Sequence, residues 1–538
     1  MPLVLLALFA CDATPPSPYV ALEPRAALTR LSLDLRGVRP SEAELAAAEA
    51  DPAAYDAFVD RWIEDDPRFH GRMRELFDRR FLTRTGDTYV ALDEVGLGAI
   101  DPRAAARAIG EEPLRLLTYV LENDLPYATM VTAPHTVADP VVAAVWDLER
   151  EPGDGWQVAR WRDGRPAAGV LSMSVLWQRY PSMGGNANRH RANAVSRVLL
   201  CDDYLTRPIV LDRAAVDLLT IDPENAIAVT PSCQSCHSTL DPLAGNLFGF
   251  FRDDGADDLE AMRGYAPENE HAWSEWSGRP PGYFGRPTSG IEELGEAIST
   301  DPRFHDCAVQ TVWEGFGQAF ATDDAWSELQ ALRDTYDEAG GRLAPVVKAV
   351  VRSEGYRAGE VADAALDARV ATVRIVSPEQ LASSIADLTG YRWSFDGQEG
   401  LLDPSSGLPV LAGGIDGRSV SLPSYAPSLG LALIQERLAQ ASARYVAEHD
   451  LAAGREDAAI LLSYVTADMR PDTHAEAFDT QIRALYLRVV GEPLAADAAE
   501  PAALAALWAE LFAVDESPVS AWAGVVSAIL RDPRVLLY

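Results

Sequence analysis

Five residues near the middle of the chain, Cys233-Gln234-Ser235-Cys236-His237, combine two thiols with an imidazole at a chemically useful spacing. Two cysteines separated by two residues can form thioethers with the two vinyl groups on one edge of a porphyrin. The imidazole that follows then lies over the iron and becomes its proximal ligand. The pattern predicts one covalently bound haem c, attached at Cys233 and Cys236, with His237 as an iron ligand.

Three other chemistries also use a C-x-x-C pair. A structural zinc site needs a second ligand pair at similar spacing, and the sequence has no other C-x-x-C. A thioredoxin-like dithiol needs a strand before the pair and a helix after it, whereas Thr-Pro-Ser precedes it at 230–232 and Asp-Pro follows at 241–242. A plain disulfide between Cys233 and Cys236 is the third alternative. We favour haem attachment over all three.

The sixth iron ligand decides what kind of haem site this would be. A methionine raises the haem potential, a histidine lowers it, and an empty position permits ligand binding or peroxidase chemistry. Met173, at the end of an apolar run, is the first candidate for a metal ligand. Met183, Met262 and His190 are alternatives, and a vacant position stays open as well.

Three arginines precede the motif, and they are Arg189, Arg191 and Arg197. Haem propionates need buried or half-buried cationic partners, and guanidinium groups bind carboxylates through paired hydrogen bonds. These side chains are therefore candidate propionate partners, with plain surface charge as the alternative for each.

The N-terminus has the pattern of an export signal. Residues 2–10 are uncharged and apolar, Cys11 follows them, and a proline-rich stretch comes next. This pattern is typical of the end of a bacterial lipoprotein signal, so it predicts lipidation of Cys11 and membrane anchoring of an exported protein, in the periplasm or at the cell surface. A plain secretory signal and a frayed terminus with a chance cysteine are the alternatives. No other stretch is long and apolar enough to predict a transmembrane helix.

The cysteine count leaves one further pair. If Cys11 carries lipid and two cysteines carry haem, Cys201 and Cys307 remain, in a compartment where disulfides persist. We hypothesise that they are bonded to each other, which requires Cα atoms no more than about 7 Å apart. Two separate buried thiols are the alternative.

The elements that position these residues are predicted to be helical. Ser41 and Ser377 each begin a capping box, completed three residues later by Glu44 and Gln380. Apolar residues then recur at helical spacing, and Gly390 is a candidate C-terminal stop. Alternating runs typical of strands are few and short. The predicted fold class is mostly α, with several helical domains and an inserted cytochrome c-like haem-binding region.

Loop-rich stretches divide the chain into predicted segments. The length of 538 residues is enough for several domains, each with its own core. The predicted division is a lipoprotein-type signal at 1–11, an N-terminal helical domain at 12–135, a cytochrome c-like haem region at 136–300, a post-haem helical domain at 301–360 and a C-terminal helical domain at 361–538.

One short sequence is repeated. Asp66–His70 recurs verbatim as Asp301–His305, and Asp532–Val535 is a weaker copy. Because the first two copies each precede an amphipathic pattern, we interpret the repeat as a shared turn at a helix start. Ligand roles for His70 and His305 are the alternative.

The overall charge limits the partners. The chain has 46 basic and 81 acidic residues, a net charge of −35, which disfavours binding to nucleic acid or to anionic lipid. Its hydrophobic fraction of 48% excludes a disordered chain. Five cysteines are too few for a disulfide-dense scaffold of this length.

Several segments carry a family resemblance, and they are Leu31–Ser41, Gly169–Met173, Asn188–Asn193, Cys233–Leu243, Asp301–Arg357, Ser377–Leu381 and Trp522–Leu537. In this order they resemble a family of uncharacterised secreted proteins abundant in planctomycetes and myxobacteria, the planctomycete-type cytochrome c proteins. Residues 243–246 depart from the Leu-Gly-Phe continuation usual there. The resemblance implies an exported, mostly helical haem protein that works with secreted partners in surface oxidoreductase or polysaccharide-related systems.

The function expected from these observations is one-electron transfer by an exported c-type haem protein, with a redox partner that the sequence does not identify. A haem enzyme, peroxidase-like or oxidising a small or carbohydrate substrate, is the first alternative. A surface binding or structural protein, in which the haem only stabilises the fold, is the second.

Overall fold

The computed structural model describes residues 17–538 apart from 87, 89, 183–185, 209–212, 223–225, 228, 252–262, 363–365, 367–369, 396–397 and 453–457. Helices make up 61% of the structure and strands 5%. The prediction of a mostly α protein is therefore confirmed.

The α-helices of the described chain are α1 (Pro24–Arg36), α2 (Glu42–Ala50), α3 (Ala54–Glu64), α4 (Arg68–Phe81), α5 (Pro102–Glu122), α6 (Thr129–Thr132), α7 (Pro140–Trp146), α8 (Ser174–Arg179), α9 (Arg189–Leu200), α10 (Arg213–Ile221), α11 (Pro231–Gly245), α12 (Ala272–Ser277), α13 (Ile291–Ser299), α14 (Pro302–Gly317), α15 (Trp326–Glu338), α16 (Leu343–Arg352), α17 (Glu354–Arg357), α18 (Pro378–Thr389), α19 (Leu408–Leu411), α20 (Leu429–Asp450), α21 (Ala475–Val490), α22 (Glu500–Asp515) and α23 (Pro518–Leu530).

The strands are β1 (Tyr19–Ala21), β2 (Thr136–Ala138), β3 (Leu148–Arg150), β4 (Gln157–Trp161), β5 (Gly282–Tyr283), β6 (Arg286–Pro287), β7 (Ala358–Val361), β8 (Ser394–Phe395) and β9 (Gln398–Glu399). They pair antiparallel as β1-β7, β2-β4-β3, β5-β6 and β8-β9. These small sheets join helices rather than form a layer of their own.

Local sequence explains where key helices begin and end. The capping box at Ser41 forms, with the hydroxyl accepting from the Glu44 amide and the Glu44 carboxylate accepting from the Ser41 amide. Ser377 and Gln380 form the second box, and Gly390 ends α18 in the left-handed conformation. Both capping predictions are confirmed.

The repeated Asp-Pro-Arg sequence is a turn at a helix start in all three copies. In each, the aspartate accepts from the arginine amide two residues later and pairs with its guanidinium, as seen at Asp66, Asp301 and Asp532. His70 lies 3.5 Å from Glu122, and His305 contacts Tyr336. Neither contact suggests a metal-ligand role, in keeping with the helix-start interpretation.

Two large hydrophobic cores organise the described part of the chain, beside a small cluster of Ala187, Phe248 and Trp273. One continuous cluster draws buried residues from Ala27 to Tyr356, and a second draws them from Ile375 to Leu536. We call these the first body and the second body. In the described residues no helix is both long and apolar enough to cross a membrane.

A buried carboxylate on α1 connects the two bodies. Asp34, 3% exposed, accepts hydrogen bonds from Tyr356 of the first body at 2.7 Å and from Arg374 at 2.6 Å. Its other oxygen accepts from Tyr538 at 2.6 Å and, at 3.4 Å, from Gln380. We call these five residues the Asp34 network. The Leu31–Ser41 segment is almost completely enclosed, because it contacts the first body on one side and the second body on the other.

Candidate functional site

The motif lies in the first two turns of α11. Pro231 occupies the first helical turn, where its missing amide costs nothing, and the amides of Cys233 and Gln234 bond to the Thr230 carbonyl. Residues three and four apart share one face of a helix. Cys233, Cys236 and His237 therefore project from the same side of α11, which packs on α9 and on the β5-β6 hairpin.

The two motif thiols are separate in this structure. Cys233 and Cys236 are half-buried and not bonded to each other. Cys236 packs against the core of the first body, and the Ser235 hydroxyl lies 3.8 Å from its sulfur. Both sulfurs are thus placed where a group at the surface of α11 could react with them.

The imidazole of His237 is fixed by a buried carboxylate one turn later. Its Nδ1 lies 2.8 Å from Oδ1 of Asp241. A carboxylate can only accept, so in the neutral imidazole Nδ1 carries the proton and Nε2 keeps its lone pair. Within the described part of the chain Nε2 makes no hydrogen bond, and the side chain is 24% exposed. The free nitrogen is the one that a metal would bind.

Asp241 is in turn held by an arginine on α9. Arg189 donates two parallel hydrogen bonds to it, 2.8 Å from Nε to Oδ1 and 3.1 Å from Nη2 to Oδ2. Burial alone would raise the pKa of Asp241, but the hydrogen bonds from His237 and Arg189 outweigh it and hold the pKa below its usual 3.8. Asp241 is therefore ionised at neutral pH. We call His237, Asp241 and Arg189 the proximal triad.

Sequence reasoning missed the role of Asp241. Its position four residues after His237 on a helix was the available signal, because such residues are neighbours on one face. The position of Tyr204 and Arg207 beside the motif helix was not predicted either. The Tyr204 hydroxyl contacts Thr239 at 2.8 Å, and the Arg207 guanidinium lies 3.9 Å from the Tyr204 ring centroid. No spacing in the sequence points to these two residues.

The arginines considered as propionate partners have other partners in this structure. Arg189 belongs to the proximal triad. Arg191 is half-buried and donates to backbone carbonyls, including that of Phe250 at 2.6 Å, and burial lowers its pKa to about 10. Arg197 bonds to the Tyr180 hydroxyl. All three link α9 to its neighbours.

The two candidate sixth ligands in the described part of the chain lie in different surroundings. Met173 is fully enclosed in the core of the first body, between a 3₁₀ turn and α8, both of which pack on α5. His190 is exposed, with its Nδ1 3.0 Å from the Pro181 carbonyl oxygen. Neither residue contacts α11 through any hydrogen bond in the described chain. Met183 and Met262 lie outside the described residues, as does Cys11, the predicted lipidation site.

The loop between Tyr265 and Gly290 covers the C-terminal end of α11. The Asn246 side chain donates to the Gly282 carbonyl and accepts from Thr288 at 2.6 Å. The Trp273 indole lies so close to Gly245 that an added Cβ would come within 2.6 Å of the ring. Residues 243–246 thus supply a glycine and an asparagine that anchor this loop.

A disulfide fixes the far end of α9. The structure joins Cys201, just after α9, to Cys307 on α14, with an S–S distance of 2.06 Å and a Cα–Cα distance of 5.3 Å. This is the pairing hypothesised from the cysteine count. The helix that carries Arg189 is thereby tied to the core of the first body.

A haem group fits the residues present. Two separate thiols and one oriented imidazole share a helical face, and the imidazole keeps one nitrogen free. The described residues contain no group of three or more His, Cys, Asp or Glu side chains that could hold a metal ion.

Comparisons of the chain with protein-family models, with curated proteins and with solved structures found no match.

Proposed function

We propose that the protein is an exported c-type haem protein that transfers electrons, with haem c attached at Cys233 and Cys236 and ligated by His237. The observation that supports this most strongly is the proximal triad, since it leaves Nε2 of His237 without a partner while fixing the other ring nitrogen. Neither a thiol pair of the thioredoxin type nor a plain disulfide needs an oriented imidazole beside it.

The chain's own residues would act on the haem through His237. Metal-ligating histidines characteristically donate their other N–H to a carboxylate, which fixes the tautomer and raises the basicity of the ligating nitrogen. Asp241 does this here, and Arg189 keeps Asp241 in place and ionised. A haem bound at this site would supply one-electron redox chemistry, and a more basic axial ligand would lower its potential.

Export is part of the proposal. The Cys201–Cys307 disulfide supports it, because disulfides persist in the periplasm and outside the cell but rarely in the cytosol. Lipidation of Cys11 would anchor the protein to a membrane, and membership in the planctomycete-type cytochrome c family is proposed on the segments named above. The redox partner would be another exported protein.

A haem enzyme is the second candidate. The same triad favours it, because a strongly donating proximal histidine supports the higher oxidation states that peroxidase-like chemistry needs.

The test is a pyridine haemochrome spectrum of the full chain made in cells that express haem-ligation machinery. We expect one haem per chain with two thioethers in the unaltered protein, one thioether in Cys233→Ala or Cys236→Ala, and an altered iron spectrum in His237→Ala. A c-type cytochrome expressed in the same cells is the control for the machinery. Colourless protein beside a loaded control would overturn the proposal.

The spectrum of the loaded protein also separates the two candidates. A low-spin ferrous spectrum that carbon monoxide does not change indicates a filled sixth position and electron transfer. A high-spin spectrum that changes on adding carbon monoxide indicates an open position, which is the enzyme alternative.

A further inference from the structure

The helix that carries the motif has a weak point just after it. Pro242 lies inside α11, and a proline has no amide proton to donate. The carbonyl of Ser238, four residues earlier, therefore lacks its usual helical hydrogen bond. Because Ser238 directly follows His237, contacts from outside the helix gain importance for holding the motif side chains in place.

One such contact supports His237. It starts at Arg189, the first residue of α9, and reaches the imidazole through Asp241. The first end of α9 thus fixes one of the three motif side chains.

The other end of α9 leads to Cys236. The Thr239 hydroxyl donates to the Cys236 carbonyl at 3.0 Å. A hydroxyl has one proton, so the Tyr204 hydroxyl is the donor in its 2.8 Å contact with Thr239. Tyr204 is 4% exposed and lies in the loop directly after α9. A line of hydrogen bonds therefore runs from the end of α9 to the backbone of Cys236.

Tyr204 is itself firmly held. Its amide donates to the side chain of Asn193 on α9 at 2.9 Å. The Arg207 guanidinium lies over its ring and pairs with Asp202 at 2.5 Å. The disulfide that ties the end of α9 to α14 lies three residues before Tyr204. Because the tyrosine is fixed on several sides, it can restrain Cys236 rather than follow its movements.

The position of a thiol matters for thioether formation, the reaction on which haem attachment depends. The Cys236 sulfur would bond to the inner carbon of a vinyl group and its proton would go to the outer carbon, with no net oxidation or reduction. A displacement of about 1 Å from the reacting geometry can cost about a hundredfold in rate. A residue that fixes the thiol would therefore favour attachment.

We propose that Tyr204 is a positioning residue for haem attachment at Cys236, acting through Thr239. It would do for this thiol what Arg189 does for the imidazole. The inference rests on the proposed function. In the described part of the chain no hydrogen bond joins Tyr204 or Thr239 to Cys233, so attachment at Cys233 should not depend on Tyr204.

The first experiment uses the full chain without haem. Its free thiols are alkylated with iodoacetamide, and the rate at each cysteine is followed by peptide mass spectrometry. Cys236 packs partly against the core, so a looser hold would expose its sulfur. We expect its alkylation to become about threefold to tenfold faster in Tyr204→Phe and in Thr239→Val, the effect of losing one buried hydrogen bond, while the rate at Cys233 stays unchanged.

Two further variants serve as controls. Thr239→Ser keeps the hydroxyl and should behave like the unaltered protein. Tyr55→Phe removes an equally buried hydroxyl of the first body, since Tyr55 is 5% exposed and donates to the Val351 carbonyl at 2.8 Å. It should change neither alkylation rate.

The second experiment uses the same variants made in cells with haem-ligation machinery. The cysteine left free in each haem-bearing chain is identified by alkylation and mass spectrometry. In Tyr204→Phe and Thr239→Val we expect the share of chains attached through Cys233 alone to rise about threefold or more, in proportion to the lost restraint.

Several results would overturn the inference. Equal acceleration at both cysteines, or the same change in Tyr55→Phe, would show a general loosening of the fold. Unchanged rates in both Tyr204→Phe and Thr239→Val would show that Tyr204 does not restrain Cys236. Failure of the proposed function looks different: every chain, the unaltered one included, would be colourless beside a loaded control, while the alkylation rates would still show whether Tyr204 restrains Cys236.

Discussion

Two buried aspartates on helices, Asp34 and Asp241, are used in different ways. Each is almost completely enclosed and paired with an arginine. The other strong donors to Asp34 are tyrosine hydroxyls that have no further chemistry to offer, whereas the second donor to Asp241 is an imidazole with a free nitrogen. By this comparison, a buried ion pair becomes a candidate for function when one of its members keeps an unused, accessible atom.

The largest effect should come from removing the carboxylate that joins the two bodies. Asp34→Ala leaves Arg374 buried without its counter-ion, so we expect the free energy of unfolding to fall by about 3–5 kcal/mol. Chemical denaturation followed by circular dichroism measures it. Asp387→Asn, which removes a surface pair with Arg488, is the control and should cost under about 1 kcal/mol. Equal effects would mean that the Asp34 network contributes little to stability.

The next effect concerns the disulfide that ties α9, the helix carrying Arg189 of the proximal triad, to the first body. The disulfide closes a loop with a sequence separation of 106, so the double variant Cys201→Ser/Cys307→Ser should lose about 2–4 kcal/mol of stability. The measurement is denaturation of both proteins under identical conditions. Adding a reductant should destabilise only the unaltered protein. If the reductant destabilises both proteins equally, the prediction is wrong.

A smaller change in stability, with a distinct redox signature, is expected from Asp241→Asn. Loss of a charged hydrogen bond should cost about 1–3 kcal/mol. On the proposed function, the haem potential should rise, because His237 becomes a weaker donor. A redox titration tests this, with Asp479→Asn as control, since it removes an Asp–Arg pair on the remote helix α21. An unchanged potential would reduce Asp241 to a structural role.

The smallest effect is the pH dependence of the stability that Asp241 contributes through its hydrogen bonds with His237 and Arg189. The pKa of Asp241 is lower in the folded protein than its usual 3.8, so its stabilising contribution is present above about pH 4 and is lost as the pH falls through the folded pKa. The stability difference between the unaltered protein and Asp241→Asn should therefore shrink between pH 5 and pH 3. Denaturation curves at these two pH values decide it, and a difference that grows on acidification would contradict the assignment.

The sequence predicted the local features well, because their causes are local. Both capping boxes, the glycine stop at Gly390 and the Asp-Pro-Arg turns depend on residues within four positions of one another. The contact between His237 and Asp241 is also local, because the two residues lie four positions apart on one helix. It could therefore have been predicted from the sequence.

The remaining features depend on contacts between distant parts of the chain. The Asp34 network joins residues more than 300 positions apart, and no periodicity in the sequence indicates it. The same holds for Arg191, which looks like a surface charge but donates to three backbone carbonyls, those of Trp177, Tyr180 and Phe250.

The cross-link between Cys201 and Cys307 has a consequence for how the molecule would respond to damage. The helix with Cys233 and Cys236 lies inside the covalent ring that this bond closes. A protease that nicks the backbone once anywhere between these two cysteines would produce two fragments still held together, and they would separate on a denaturing gel only after reduction.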